Sequence, residues 1–150
     1  MPTACHSAVA NASASDLWAR LSDLPSWPRL LLLPYADEFV TLDGEPSVGA
    51  EFVMKGRLSY RLFARITDWQ PERRLEFEIH RSEYPSDRLT FGRAVISILL
   101  DPLDDVRTRV TCEHVLLGRG PAGRAYAATV MRPFLKSNVQ RIVDGLTAPP

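Results

Sequence analysis

The sequence predicts an α+β protein in which a curved antiparallel sheet of about seven strands wraps around one long C-terminal helix, with two short helices after the first strand. Apolar residues alternate at period two through most of residues 38–116, with turn-forming residues between the runs. After a glycine-rich break, apolar residues recur at helical spacing up to about Leu146. An antiparallel sheet with one apolar face needs a cover, and the last helix is the predicted element long enough to supply it. The space between helix and sheet predicts a pocket.

Length and charge restrict the function classes. The chain has 150 residues, of which 45% are hydrophobic and 24% charged, and its 18 basic and 18 acidic residues balance. A chain of this size buries roughly 70% of the surface that its unfolded form exposes, which favours one globular domain over residues 1–150. The charge balance argues against nucleic acid as a partner, and no apolar run is long enough for membrane insertion. Without a signal-peptide pattern, a cytoplasmic location is expected.

The cysteines and histidines show no metal-binding spacing. Cys5 and Cys112 are the two cysteines, and free thiols in a reducing compartment are expected; a disulfide would require that they lie on neighbouring strands. His6, His80 and His114 stand far apart, without HExxH or CxxC motifs. Glycine motifs for nucleotide binding are also missing from the sequence. We therefore expect neither a metal nor an organic cofactor.

The N-terminal part predicts a strand followed by a helical corner. Residues 3–11 are small and weakly alternating, as in a short strand. Ser13 or Ser15 is the expected N-cap of the first helix, because a hydroxyl there accepts a hydrogen bond from a free backbone N–H. Pro25 is expected to stop that helix, and Pro28–Leu31 to form the second one.

Period-two alternation predicts the strands of the sheet and their buried face. In the clearest run, Leu75, Phe77 and Ile79 point inward while the acidic residues between them point outward. The same alternation sets the inward face of the other strands. The predicted strands are Glu38–Leu42, Gly49–Lys55, Leu58–Trp69, the run around Leu75–His80, Arg88–Leu100 and Val106–Leu116.

The C-terminal residues predict one long helix that covers the sheet. Met131, Leu135 and Asn138 fall on one stripe of this helix, with Phe134 beside them. Pro133 stands inside it and should bend the helix axis, unless the helix begins later in the chain.

Three segments together resemble one family. The first is the run Ala12–Asp23 with Trp27-Pro28 after it, the second is Ile66–Phe77, and the third is Arg107–Thr111, which lacks the usual glycine before the threonine. In their order and spacing they resemble the START-like (SRPBCC) superfamily, in particular its polyketide cyclase/dehydrase branch. The resemblance covers nearly the whole chain.

The resemblance implies a helix-grip fold with an elongated, mostly apolar cavity between the sheet and the C-terminal helix. Members of the superfamily cyclise or dehydrate aromatic polyketides, carry lipids, hormones or quinones, or act through protein contacts. The matching segments are structural and supply no catalytic residue. The site is therefore predicted from the residues themselves.

Two residues are candidates for catalysis. His114 lies on the inward face of the last strand, where it is either a hydrogen-bonded core histidine or a general acid/base at the cavity. Tyr60 shares the apolar face of Leu58 and Leu62, and its buried hydroxyl would need a partner such as a ligand. Cys112, on the face of His114, is most simply a packed thiol that could touch a ligand.

Further side chains are candidates for ligand binding. Arg93 would face the cavity if Phe91 points inward. Ala94 and Ile96 favour the opposite parity, which turns Arg93 outward and avoids the cost of burying its charge. The candidate ligand contacts are Met54, Phe77, Arg93, Cys112, Tyr126, Met131, Phe134 and Asn138.

The leading functional hypothesis is a site that binds an aromatic or polyketide-like molecule and promotes its cyclisation or dehydration, with His114 and Tyr60 moving protons. The alternative is a non-catalytic carrier or sensor of a lipid, quinone or other hydrophobic metabolite, and a third hypothesis is an interaction module. In the first two, the partner is a small hydrophobic molecule. The oligomeric state is left open, a homodimer included.

Overall fold

The described part of the chain forms one antiparallel sheet with helices on its inner face. A computed structural model describes residues 2–30, 38–42 and 44–149. Within these ranges the strands are β1 (Thr3–Ala10), β2 (Glu38–Leu42), β3 (Glu51–Lys55), β4 (Arg61–Gln70), β5 (Arg74–Ser82), β6 (Phe91–Pro102) and β7 (Thr108–Gly118). The helices of the same ranges are α1 (Ala14–Leu21), α2 (Trp27–Leu30), α3 (Gly120–Thr129) and α4 (Arg132–Thr147). The strands are antiparallel in the order β1-β7-β6-β5-β4-β3-β2, which confirms the predicted α+β helix-grip architecture.

Alternation along β5 and β7 buries one face of the sheet, as predicted. The buried residues of β7 are Thr108, Val110, Cys112, His114 and Leu116. Those of β5 are Leu75, Phe77 and Ile79. This face packs against α4, whose buried residues are Leu135, Asn138, Val139, Ile142, Val143, Gly145 and Leu146. The core therefore lies between the sheet and the C-terminal helix.

Helix α1 is bounded by its own caps. Ser13, rather than Ser15, is the N-cap, because the backbone N–H of Asp16 donates to Ser13 Oγ at 3.1 Å. The helix ends at Leu21, before it reaches Pro25. The proline instead occupies the first turn of a short 3-10 helix, where its missing N–H costs nothing.

Trp27 fixes the corner between α1 and α2. Its indole N–H donates to the carbonyl oxygen of Leu21 at 2.8 Å, so the polar atom of a fully buried ring is satisfied. The ring centroid lies 5.6 Å from that of Phe52 and 5.1 Å from that of Phe77. Leu31, the predicted end of this helix, lies outside the described residues.

Where one long C-terminal helix was expected, the chain forms two. Helix α3 ends at Thr129, and α4 begins at Arg132. Pro133 stands in the first turn of α4, where a residue without an N–H is tolerated because no intrahelical acceptor faces it. The alternative of a later helix start is therefore correct. No helix in the described ranges is long and apolar enough to cross a membrane.

Four strands begin later than the alternation predicts, β3 and β7 by two residues and β4 and β6 by three. Strand β4 starts at Arg61, because Leu58 and Ser59 adopt left-handed backbone angles, with φ of 57° and 63°. The strand parity that placed Tyr60 inward therefore does not apply to it. Strand β6 starts at Phe91 rather than Arg88, since the preceding residues form a loop.

The two cysteines are free thiols although β1 and β7 are neighbours. In the register of the two strands, Cys5 is opposite Glu113, whereas Cys112 is opposite His6. Adjacent positions on a strand point to opposite faces, so Cys5 is exposed and Cys112 is buried. A disulfide is therefore excluded by parity rather than by strand order.

Candidate ligand-binding cavity

A cavity of about 360 Å³ lies between one end of the sheet and the C-terminal helices, within the size range of small-molecule sites. Its wall is mostly apolar, with polar groups from a few loop, strand and helix residues. The lining residues are Leu62, Ile79, Tyr84, Ser86, Asp87, Thr90, Phe91, Ala94, His114, Leu116, Tyr126, Ala127, Met131, Phe134 and Leu135.

The strand register explains where the cavity ends. Ile79, Ala94 and Leu116 are partners across β5, β6 and β7, and this row of side chains lines the cavity. The next row along the strands contains Phe77 and His114. The Phe77 ring packs against the rings of Trp27 and Phe52, and all three are fully buried. His114 therefore stands where the open part of the groove meets the packed core.

His114 is the most deeply buried polar side chain of the wall. It is 3% exposed. Asn138 of α4 donates from Nδ2 to His114 Nδ1 at 3.0 Å, because an amide nitrogen carries hydrogens and cannot accept. Within the described ranges, no hydrogen-bond partner reaches His114 Nε2. One ring nitrogen is thus hydrogen-bonded to the helix, and the other makes no hydrogen bond to the described residues.

Burial decides the protonation state of this ring. Desolvation lowers the pKa of His114 from 6.5 to about 4, so the imidazole is neutral at neutral pH. Since Nδ1 accepts from Asn138, the single ring hydrogen is on Nε2. His114 is therefore an uncharged residue of the cavity wall, with its ring hydrogen on a buried Nε2.

Asp87 is a cavity residue that the sequence pattern did not single out. It lies in a 3-10 turn between β5 and β6, where its Oδ2 accepts a hydrogen bond from Ser82 Oγ at 2.6 Å. Burial raises the pKa of the Asp87 carboxyl, and the Ser82 hydrogen bond opposes part of that rise. A loop residue has no periodicity that would reveal which way it points. Only the closure of the loop over the cavity identifies Asp87.

Tyr60 does not line the cavity, contrary to the prediction. Its ring packs against Tyr84, with 5.2 Å between the ring centroids, and Tyr84 is the residue that lines the wall. The reason is the late start of β4, which leaves Tyr60 in the loop before the strand. Tyr60 therefore contacts the wall residue Tyr84 without lining the cavity itself.

The candidate contacts on the C-terminal helices divide into two groups. Tyr126, Met131 and Phe134 line the cavity. Asn138 is buried behind His114, to which it is hydrogen-bonded, and it is not part of the wall. It therefore orients the ring that faces the cavity.

The other candidate contacts need correction. Met54, Phe77 and Cys112 are fully buried, and none of the three is among the residues that line the cavity. Burial also raises the pKa of the Cys112 thiol, so it is no nucleophile. Arg93 lies on the outer face of the sheet, where its Nη1 is 3.9 Å from Glu78 Oε1. The parity of Ala94 turns it outward, which spares the cost of burying a guanidinium.

The described residues contain no cluster of three or more His, Cys, Asp or Glu side chains that could hold a metal ion. The polar lining residues of the cavity carry an imidazole, a carboxyl and several hydroxyl groups.

Residues 1–148 match the family described as polyketide cyclase / dehydrase and lipid transport. The chain belongs to this family, which confirms the START-like resemblance. The fold and the cavity thus place the protein among helix-grip proteins of a hydrophobic-ligand-binding type. No curated protein sequence matches the chain.

Solved structures share the fold at low sequence identity. The Zhui aromatase/cyclase from a Streptomyces species is 15% identical, with a TM-score of 0.71 over 97% of this chain and 90% of that one. Truncated norcoclaurine synthase from Thalictrum flavum gives the same identity, TM-score and coverage. A protein from Arthrobacter aurescens is 23% identical, with a TM-score of 0.66 over 99% of this chain and 87% of that one. At these identities the likeness establishes the fold alone.

Proposed function

We propose that the protein binds a small aromatic or polyketide-like molecule in the cavity, and that a carbonyl or phenolic oxygen of this molecule accepts a hydrogen bond from His114 Nε2. The observation that carries the proposal is a buried imidazole N–H that has no partner among the described residues, in the wall of a mostly apolar cavity. A buried donor without an acceptor costs about 1–3 kcal/mol. A ligand oxygen removes that cost, so the site favours hydrophobic molecules that carry an acceptor.

The same geometry supports cyclisation or dehydration of the bound molecule. A hydrogen bond from a neutral imidazole polarises a carbonyl and stabilises the enolate that forms when an adjacent carbon loses its proton. The Asp87 carboxylate takes that proton, and the enolate carbon attacks a second carbonyl of the same molecule. Asp87 returns the proton to the new alkoxide, and water leaves in a later elimination. The apolar wall holds the chain in the folded conformer that this attack requires.

The family and its relatives support this proposal. The family description includes polyketide cyclases and dehydrases, and one structural relative is an aromatase/cyclase. Another relative, norcoclaurine synthase, has been solved with dopamine and hydroxybenzaldehyde. These are properties of the relatives, which share the helix-grip fold with this chain.

A carrier function is the second candidate, and the displacement of Tyr60 from the wall favours it. Because Tyr60 does not line the cavity, Asp87 is the main proton-transfer group of the wall. The lowered pKa of His114, about 4, makes that imidazole a weak base. A carrier would need the apolar cavity and the His114 donor but no turnover. The family description also includes lipid transport.

Binding is tested with a matched pair of probes. Alpha-tetralone and tetralin differ by one carbonyl oxygen, so their affinities report the hydrogen bond from His114. We expect the wild type to bind tetralone about tenfold more tightly than tetralin in calorimetry, and His114→Leu to lose this preference. Ser97→Ala, on β6 with its hydroxyl bonded to Glu76, is the control and should keep it. Equal affinities for the two probes in the wild type would refute the binding proposal.

Turnover is tested separately with a linear diketone that closes to a cyclohexenone with loss of water. An enzyme should release the cyclohexenone faster than buffer does, and Asp87→Asn should slow this at least tenfold while tetralone affinity is retained. Recovery of the diketone unchanged, together with tetralone binding, would assign the protein as a carrier.

A further inference from the structure

We propose that the cavity end of the molecule docks on the surface of an anionic lipid bilayer. This end, which we call the basic end, consists of residues 55–61, 81–93 and 119–136. The proposal does not rest on the identity of the cavity ligand. It rests on the distribution of charge, on exposed aliphatic side chains and on backbone strain.

The neutral chain is strongly polarised. Residues 55–61, 81–93 and 119–136 contain ten Lys or Arg residues and two acidic residues, Glu83 and Asp87. Since the whole chain has 18 of each sign, the remaining residues carry eight basic and sixteen acidic groups. The two parts therefore have formal charges of +8 and −8. Zero net charge in this protein hides a large separation of charge.

The topology brings the three segments to one end of the sheet. Because neighbouring strands are antiparallel, the β3–β4 connection, the β5–β6 connection and the C-terminal end of β7 all lie at the same end of the sheet. Direct contacts confirm this arrangement. Tyr60 of the first segment packs on Tyr84 of the second, and Arg119 N–H donates to the carbonyl oxygen of Thr90 at 2.8 Å.

Several cations of the basic end are exposed and have no carboxylate partner within the described ranges. Arg61 and Arg93 are paired with Glu83 and Glu78. The exposed cations outside those ion pairs are Arg81, which lies over the Phe63 ring, and Arg88, Arg119, Arg124, Arg132 and Lys136. Arg124 and Arg132 also line a second cavity of about 370 Å³ beside the third segment.

Three aliphatic side chains of the basic end are exposed to water. Leu58 is 85% exposed, Leu89 is 81% exposed and Val130 is 60% exposed, and each belongs to a different segment. Leu58 also has a left-handed backbone, with φ of 57°. That conformation is unfavourable for a residue with a Cβ, and strain of this kind concentrates at functional sites.

This combination favours a bilayer over a protein partner. The exposed aliphatic residues stand on three separate segments, and a fluid interface accepts each side chain without a matching pocket. Basic residues spread over a broad end match the diffuse negative potential of anionic headgroups. The apolar cavity lies at the same end, so a ligand dissolved in the bilayer has a short path into it.

The test is binding of the full chain to lipid vesicles by co-sedimentation. We expect binding to vesicles of phosphatidylcholine with phosphatidylglycerol, weak binding to phosphatidylcholine alone, and loss of binding in high salt. Arg88→Gln with Arg119→Gln should lower the partition coefficient about 25-fold, since each arginine near the surface contributes about fivefold. Leu58→Ser with Leu89→Ser should lower it about tenfold.

Matched controls come from the rest of the surface. Val48 and Val106 are exposed by 62% and 67%, and both lie outside the basic end, so changing them to Ser should leave binding intact. Arg73→Gln with Arg109→Gln removes the same charge from exposed sites elsewhere. His114→Leu should also bind vesicles normally, which separates docking from the ligand proposal.

Three results would overturn docking on a bilayer. The first is equal binding to anionic and neutral vesicles, and the second is equal weakening by control and basic-end variants. The third is the absence of vesicle binding together with self-association, seen by sedimentation velocity, that Leu58→Ser with Leu89→Ser abolishes. That outcome would assign the basic end to a second copy of the chain.

Discussion

At the scale of single residues, the cavity depends on one hydrogen-bonded pair. Asn138 approaches from α4 and His114 from β7, so their hydrogen bond joins the covering helix to the sheet. The pair fixes which ring nitrogen carries the hydrogen and thus gives the cavity a donor instead of an acceptor. A ring that must stay neutral also makes the folded state sensitive to acid.

The pKa of His114 predicts a specific pH dependence of stability. Because the pKa falls from 6.5 in the unfolded chain to about 4 in the folded one, the unfolded state binds a proton first as the pH drops. The contribution of the neutral His114 ring to the free energy of unfolding is present above pH 6.5 and is lost as the pH falls toward 4. Between pH 7 and pH 5 the loss should be about 2 kcal/mol in urea unfolding.

The control for this prediction is His114→Gln, which removes the titrating group from the same position. Its stability should change less between pH 7 and pH 5 than that of the wild type. Carboxylates with lowered pKa values, such as Glu76, add a smaller loss of stability near pH 5, and the raised pKa of Asp87 acts in the opposite direction. Both effects remain in His114→Gln, so the difference between the two proteins reports His114. Parallel pH curves for the two proteins would contradict the assignment of the effect to His114.

At the scale of secondary-structure elements, α3 sits on the sheet through backbone contacts. A Cβ on Gly118 would collide with the carbonyl oxygen of Gly123, and a Cβ on Gly123 would stand 2.6 Å from the carbonyl oxygen of Thr90. The helix therefore lies as close to the ends of β6 and β7 as backbones can approach. This contact positions Tyr126 at the wall of the cavity.

Gly118→Ala tests that contact. The added methyl group has no space to occupy, so we expect a loss of about 1–3 kcal/mol in the free energy of unfolding, measured by urea titration. Gly120→Ala is the control in the same segment, because its Cβ would meet no atom within 4 Å. With φ of 64°, Gly120→Ala costs about 1 kcal/mol through strain alone. Equal losses in the two variants would show that the close packing of α3 is unimportant.

The elements also show how far alternation predicts structure. Period two correctly gave the buried faces of β5 and β7, because the core enforces parity along a strand. It failed at Tyr60, where a left-handed turn at Leu58 interrupts the strand. It was also silent on Asp87, since a loop has no period. Strand interiors are therefore predictable from the sequence, and the loops that close the cavity are not.

At the scale of the whole molecule, net charge is a poor guide to the surface. The charges of +8 and −8 lie in different parts of one chain, and the positive part coincides with the cavity end. A separation of this size orients the protein toward any anionic surface at low ionic strength. The zero net charge alone would have predicted no electrostatic attraction to such surfaces.

The polarity predicts retention on a cation-exchange resin at pH 7 despite zero formal net charge. Arg88→Gln with Arg119→Gln should elute at clearly lower salt than the wild type. Arg73→Gln with Arg109→Gln has the same net charge and should elute close to the wild type, because its charges lie outside the basic end. Elution of both double variants at one salt concentration would mean that net charge, rather than its distribution, governs binding.

The sequence by itself determined the architecture, because apolar periodicity, turn residues and the Ser13 cap act locally and agree with one another. Strand parity also predicted an inward His114, which the structure confirms. Parity left the face of Arg93 open, and only the structure places Arg93 beside Glu78 on the outer face. Only the tertiary structure decided which side chains line the cavity. The pairing of His114 with Asn138, the closure of the Asp87 loop and the gathering of basic segments at one end join residues far apart in the chain. No local pattern encodes such contacts, because they depend on how finished elements pack.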